Sequence, residues 1–359
     1  MELDNALLFL WIGVMAIILY FTDYTRTETL GDKQVRRYKP LLAVILFVPI
    51  ILFAVVGRVR SDTYSYLAAY RSIPTTFREA WTYLLDAEEK GWALFNVSVH
   101  TVSFGNETMY RLAIALVHSI PLIVIFRKYS PSYLLTLYLF IAGGYHLGWM
   151  TNGLRQFMAV SIIVAATPWM VDKKYIRSIL IILLAATFHR TALYMIPVMF
   201  IAQGRIWDYR TLLLILAVTA LTFIVTTNTK LFDDFAELVG YSTEAAREWG
   251  DDGANPIRVL VSAVPMALSF LFRWQIRAER DLAINFFVNL SVVTVAMSVF
   301  AMITSGIMTG RMIVYTGVYN LILLPYLLKS FREIRTRRIV NLACVGLYFI
   351  YFLYESGTL

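Results

Sequence analysis

Cysteine is nearly absent from this sequence: Cys344 is the single one among 359 residues, which excludes an intramolecular disulfide and a thiolate metal cluster. Charge is scarce too. Charged residues make up 16% of the chain and hydrophobic residues 59%, with a mean hydropathy of +0.65, far from the roughly quarter-charged balance of globular domains. A soluble fold could not hide that much apolar surface. Internal repeats, low-complexity tracts and flexible linkers are missing, so a single transmembrane domain over 1–359 is the simplest reading. Also missing are a phosphate-binding loop, a dinucleotide fingerprint and a GxSxG elbow. His100, His118, His146 and His189 are scattered, with no DxD-like carboxylate motif. A bound metal or a nucleotide-sugar magnesium site is therefore disfavoured, and neither a cofactor nor a nucleic-acid partner is expected.

What the chain does have is a succession of apolar runs, each long enough for a helix to cross roughly 30 Å of hydrocarbon. They fall near 4–22, 40–57, 107–126, 131–150, 152–171, 211–227, 257–273, 282–303, 310–328 and 338–354. The pattern implies an all-α polytopic membrane protein with about ten transmembrane helices. The first run follows Glu2 and Asp4, lacks a basic leader and a small-residue cleavage site, and reads as a retained helix. Between 175 and 203, Phe188-His189-Arg190 interrupts a further apolar stretch. A histidine and an arginine at hydrocarbon depth need a wet or protein-lined site, so this stretch reads as a re-entrant half-helix pair; a single tilted helix is the alternative.

Lys and Arg in short loops mark the cytoplasmic face. With a re-entrant pair, one face collects the basic residues of 26–39, 127–128, 173–177, 205–210, 273–280 and 329–338, which are 20 of the 32. A straight crossing at 175–203 would invert everything after it. Both termini and two long connections are thus expected outside the cytoplasm. The first connection, 58–106, holds amphipathic material around Thr75 to Leu85 and a run, Gly91 to Phe104, too short to span, so interfacial or re-entrant helices are expected there. The second, 228–256, is acidic, with Asp233, Asp234, Glu237, Glu244, Glu248, Asp251 and Asp252 against Lys230 and Arg247. It reads as a solvated cap or as a lid over substrate.

Twelve basic residues stay unexplained by orientation, and six of them sit at expected outer helix ends or breaks: Arg58, Arg60, Arg155, Arg190, Arg258 and Arg311. Guanidinium groups grip phosphate bidentately, and helix N-termini add unpaired N–H groups. If these ends face one cavity they form a cationic bowl suited to a lipid-linked phosphate or pyrophosphate. The plainer reading is that each arginine snorkels to headgroups or pairs with Asp62, Glu88 or Glu89. Arg58-Val59-Arg60-Ser61-Asp62-Thr63-Tyr64-Ser65-Tyr66 mixes a basic pair, a carboxylate and tyrosines, as for an anion beside a sugar or for a helix-end salt bridge. Asn152-Gly153-Leu154-Arg155-Gln156 brings two amides and a guanidinium into an apolar helix together. His189 is the strongest candidate for proton transfer; a satisfied packing histidine is the alternative.

These segments resemble the EpsG family, a branch of the Wzy-type bacterial polysaccharide polymerases. The resemblance rests on Arg58 to Tyr64, Glu89-Lys90-Gly91-Trp92, Leu154-Arg155-Gln156-Phe157-Met158-Ala159 and Phe188-His189-Arg190-Thr191-Ala192-Leu193, with a looser match at Arg311 to Tyr315. It implies a metal-independent, GT-C-like glycosyltransferase in the bacterial cytoplasmic membrane. Such an enzyme moves a growing glycan from undecaprenyl pyrophosphate onto a lipid-linked repeat unit at the outer face, and takes membrane lipid and a chain-length regulator protein as partners. The motif positions carried over are Arg58, Asp62, Glu89, Arg155, Gln156, His189 and Arg190.

In that chemistry the departing pyrophosphate gathers negative charge that fixed arginines can hold. Arg155, Arg190 and Arg311 are expected on the pyrophosphate, with Arg58, Arg60 and Arg258 in support. Asn152, Gln156, Tyr64 and Tyr315 are expected to contact glycan or anion, His189 or Asp62 to act as base, and Glu89 to orient the acceptor hydroxyl. A flippase for the same lipid-linked sugars, a glycan ligase, a membrane acyltransferase and a non-catalytic scaffold are the competing readings.

Overall fold

The computed structural model describes residues 2–30, 33–59, 61–211, 213–217, 220, 253–303 and 310–358. Arg60 and the acidic stretch up to Asp252 lie outside the described residues. Two compact units divide the chain: unit 1 comprises Met1–Ala165, Thr187–His189 and Phe331–Leu359, and unit 2 comprises Ala166–Ala186 and Arg190–Ser330.

Unit 1 begins with α1 (Leu3–Phe21), then a hairpin of β1 (Thr25–Leu30) and β2 (Lys33–Tyr38) pairing antiparallel, Thr25 with Tyr38 and Leu30 with Lys33. The hairpin is a short addition to an otherwise helical chain, in keeping with the all-α polytopic expectation. Its strands carry charge without apolar alternation, so they show no period-two signal. Ion pairs hold it instead. Glu28 bonds to Arg26 and Arg127, Arg37 lies 3.8 Å from the same carboxylate, and Arg127 Nε donates to the Tyr38 carbonyl at 2.7 Å. The Arg127 and Arg26 guanidiniums hold the Glu28 carboxyl down at about 2.

Helix α2 (Pro40–Val56) follows, then three helices in the 58–106 connection: α3 (Ser61–Arg71), α4 (Phe77–Asp86) and α5 (Lys90–Ser103). Thr76 caps α4, accepting from Glu79 N–H while its hydroxyl donates to the Glu79 carboxylate at 2.6 Å. Exposed Phe77, Trp81 and Leu85 recur every fourth residue, which makes α4 amphipathic as expected. The unit continues with α6 (Glu107–Tyr129), α7 (Tyr133–Ala142), a π-helical turn His146–Met150, α8 (Leu154–Ala165) and a C-terminal helix Ile334–Glu355. α6 packs against both α2 and α8. Phe140 is the hub of an aromatic core, with Phe47, Phe126 and Phe157 rings at 5.8, 6.2 and 6.3 Å. Leu10 and Ile17 of α1, and Leu342 and Leu347 of the last helix, stay exposed, an apolar surface that lipid rather than water covers.

Unit 2 contains α9 (Thr167–Val171), α10 (Tyr175–Ala186), a 3₁₀ turn Arg190–Tyr194, α11 (Met195–Ile201), α12 (Pro256–Leu271), α13 (Arg273–Glu279), α14 (Leu282–Ile303), α15 (Gly310–Gly317) and α16 (Asn320–Lys329). α14 is its buried axis, packed against α12, α15 and α16. Polar side chains stitch it: Asn289 Nδ2 donates to the Ala202 carbonyl at 2.9 Å, and Thr294 to the Thr316 hydroxyl at 2.8 Å. Such bonds between helices contribute about 0.6 kcal/mol each in a membrane. Tyr175 opens α10 and Phe200 nearly closes α11, yet their rings lie 5.0 Å apart. A straight crossing would separate them by more than the length of α10, about 18 Å. The half-helices therefore fold back on each other, with the break at 187–189.

Among the described residues four helices are long and apolar enough to cross a bilayer, Asp4–Phe21, Glu107–Tyr129, Leu282–Met302 and Ile334–Glu355, or six if two bent pairs each count as one. The pairs are α12 with α13, bent by 70°, and α15 with α16, bent by 47°. The remaining expected crossings fall on shorter apolar helices or outside the described residues. The run 131–150 is broken because Gly143-Gly144 ends α7, Gly144 taking φ 71°, which costs glycine nothing. The run 152–171 is broken after Ala165, and α9 begins at Thr167 with Pro168 in its first turn.

Candidate functional site

The site of unit 1 is built on the first turn of α5. Glu89 is its N-cap, but the side chain makes no capping bond. The orphan N–H groups of Gly91 and Trp92 go instead to the Thr187 carbonyl, at 2.9 and 3.3 Å. The Glu89 carboxylate reaches away from the helix end and meets His189 Nδ1 at 2.9 Å on Oε1 and Arg155 Nη1 at 2.7 Å on Oε2.

Arg155 is the second residue of α8, and the chain before it is tightly fixed. The π turn leads into Gly153, where a Cβ would lie 2.8 Å from the Trp149 ring. Asn152 does not cap its own helix; its Oδ1 accepts the Asp62 N–H at 3.3 Å, at the start of α3. Thr63 donates to the Thr151 carbonyl. This docks α3 beside α8 and brings Tyr66 to Arg155, whose Nε donates to the Tyr66 hydroxyl at 3.3 Å and whose guanidinium lies 5.7 Å from the Tyr66 ring centre. Trp92 packs T-shaped against Tyr66, with ring centroids 5.5 Å apart.

The result is a chain Tyr66–Arg155–Glu89–His189. The Glu89 and His189 side chains are each 15% exposed and that of Arg155 is 42% exposed, so the group is sheltered but reachable. A carboxylate only accepts hydrogen bonds, so Nδ1 of His189 is the donor to Glu89, and in the neutral imidazole the lone pair then lies on Nε2. An oriented imidazole with an acceptor-only partner behind it is the arrangement of a general base. A guanidinium beside it supplies fixed positive charge where negative charge would develop.

The structure brings together three of the expected residues, Glu89, Arg155 and His189. Asp62 and Asn152 join the same framework through the Asp62 backbone N–H, whereas the Asp62 side chain is exposed. Arg58 lies 3.7 Å from Glu2 and is largely exposed. Tyr64 is exposed, and Gln156 is buried within α8. In unit 2, Thr191 bonds to the Tyr315 hydroxyl at 3.1 Å, joining the turn that carries Arg190 to α15, which carries Arg311. Tyr315 is fully buried as a strut between them. Arg258 is the third residue of α12 and is exposed. Another orientation-independent arginine, Arg111, caps α2 by donating to the Ala54 and Gly57 carbonyls at 2.9 and 2.7 Å.

Sequence reasoning leaves Tyr66, Gly91, Trp92 and Thr187 without roles. Tyr66 closes the Arg58 to Tyr66 run, and Gly91-Trp92 directly follows Glu89-Lys90, so membership of those runs is the available signal; their partners, distant in sequence, carry none.

No curated protein and no solved structure shows significant similarity to this chain. The EpsG family profile, however, matches residues 41–356, a range that takes in α2 through the C-terminal helix and every residue of the Tyr66–Arg155–Glu89–His189 chain. The protein accordingly belongs to the EpsG family of polysaccharide-polymerase-like membrane proteins.

Proposed function

We propose that this protein is a metal-independent polysaccharide polymerase of GT-C-like type, working at the outer face of the bacterial cytoplasmic membrane on undecaprenyl-pyrophosphate-linked glycans. The observation that carries the reading is the Glu89 carboxylate joined to both His189 and Arg155. His189 Nε2 removes the proton of an acceptor hydroxyl on a lipid-linked repeat unit. The freed oxygen attacks the anomeric carbon of the growing glycan, the bond to undecaprenyl pyrophosphate breaks, and the pyrophosphate leaves with the electron pair. Arg155 stabilises that charge with the guanidinium edge not used by Glu89 and Tyr66. Glu89 orients the base rather than the acceptor, and Asp62 is a framework residue. Ten crossings with both termini outside remain the topology that fits the distribution of Lys and Arg.

Purified full-length protein in liposomes carrying lipid-linked oligosaccharide tests the reading. Longer lipid-linked glycans are expected, and their loss in His189→Ala. Lipid movement without elongation would make the protein a flippase, and transfer to a different final acceptor would make it a ligase.

A further inference from the structure

Gly91 makes the tightest approach in the site. A Cβ placed on it would lie 2.0 Å from Thr187 Oγ1, 2.8 Å from Thr187 Cβ and 3.1 Å from Phe188 Cδ2. Only a residue without a side chain admits Thr187 there. What it admits is the carbonyl that accepts both the Gly91 and Trp92 N–H groups. Phe188, the next residue, packs against the cluster of Leu67, Tyr70, Trp92 and Tyr110. His189 follows immediately, its ring on Glu89.

We propose that Gly91 is the positioning residue of the base. Its missing side chain lets the Thr187 carbonyl cap α5, and that cap holds the backbone two residues before His189 so that the imidazole meets Glu89. The proposal deepens the polymerase reading and rests on it. Glu89 and Gly91 act on different degrees of freedom. The carboxylate sets the rotation of the ring, and the glycine sets where the ring starts from. Because the clamp uses main-chain donors and a main-chain acceptor, substitution of Glu89 leaves it standing. Gly91 touches no reacting atom, so its effect is transmitted wholly through His189.

Gly91→Ala displaces Thr187 and tests this. In proteoliposomes with lipid-linked oligosaccharide, elongation should fall by about 100-fold, as for a roughly 1 Å misplacement of a reacting group, in kcat more than in KM. On the same preparation, carbethoxylation of His189 by diethyl pyrocarbonate, followed by mass spectrometry, should become several-fold faster as the ring leaves Glu89. Thr187→Gly in the Gly91→Ala background removes the two atoms that the new methyl meets first, and should recover elongation and slow carbethoxylation together. The proposal is overturned if Gly91→Ala elongates normally, if elongation is lost while His189 stays as protected as in the unmodified protein, or if the double variant recovers neither. A His189→Ala protein that elongates normally would instead remove the polymerase reading, whatever the carbethoxylation shows.

Discussion

His189 Nδ1 and Glu89 Oε1 meet at 2.9 Å across 100 residues of sequence, and the second oxygen of the same carboxylate holds Arg155. One acidic side chain thereby fixes both the group suited to take a proton and the group suited to hold an anion.

Glu89→Gln keeps the shape but replaces an acceptor-only group with one that also donates. The amide can then present its N–H to His189, favouring the tautomer that leaves no lone pair on Nε2. Elongation in proteoliposomes should fall by at least about 100-fold, since a wrong tautomer costs a comparable triad even more. A near-normal rate would take the Glu89–His189 pair out of the chemistry.

Arg155→Lys should not rescue function. A lysine retains the charge and can still pair with Glu89, but it lacks the planar fork that bonds Glu89 and Tyr66 together. Tyr66→Phe removes only the hydroxyl that receives Arg155 Nε, so the ring face remains. The expected order of elongation rates is unmodified, then Tyr66→Phe, then Arg155→Lys, and the reverse order would show that the Tyr66 hydroxyl has its own role.

Acid should loosen the hairpin end of unit 1. Glu28 titrates at about 2 instead of its ordinary 4.5 because Arg127 and Arg26 hydrogen-bond its ionised form. A depressed carboxylate stabilises the fold above its unfolded value and loses that contribution as pH falls through the folded one. The difference in thermal midpoint between the unmodified protein and Glu28→Gln should be full at pH 7 and should shrink between pH 4.5 and about 2. A difference independent of pH would mean that charge pairing is not what holds the hairpin.

The fold-back of α10 on α11 is open to chemical cross-linking. Cys344 is the only native cysteine, so Cys344→Ser provides a thiol-free background. Tyr175→Cys with Phe200→Cys in that background should be joined by a short bismaleimide and labelled from the same side of the membrane. Labelling from opposite sides would restore the single tilted helix.

Apolar runs and residue chemistry make much of this fold legible in advance. The break at Phe188-His189-Arg190 is readable because imidazole and guanidinium cannot rest in hydrocarbon without partners. Arg155 and Glu89 each stand out by chemistry alone, and the plain reading of an arginine paired with Glu89 holds for Arg155. What stays hidden depends on tertiary neighbours. Gly91 is needed only because Thr187 arrives from a distant segment, and Asn152 caps α3 rather than its own helix. Glu28 of the β1–β2 hairpin pairs with Arg127, an α6 residue 99 positions away, and strand patterning cannot register that.

The order in which these groups are synthesised matters too. Glu89 and Arg155 precede His189 in the chain, so a nascent chain possesses the carboxylate and its guanidinium before it possesses the imidazole. Arg155 can neutralise Glu89 during insertion, when an uncompensated carboxylate near lipid would be costly. The last partner to arrive is then the imidazole, and the Tyr66–Arg155–Glu89–His189 chain is complete only when the segment carrying the break at 187–189 has been made.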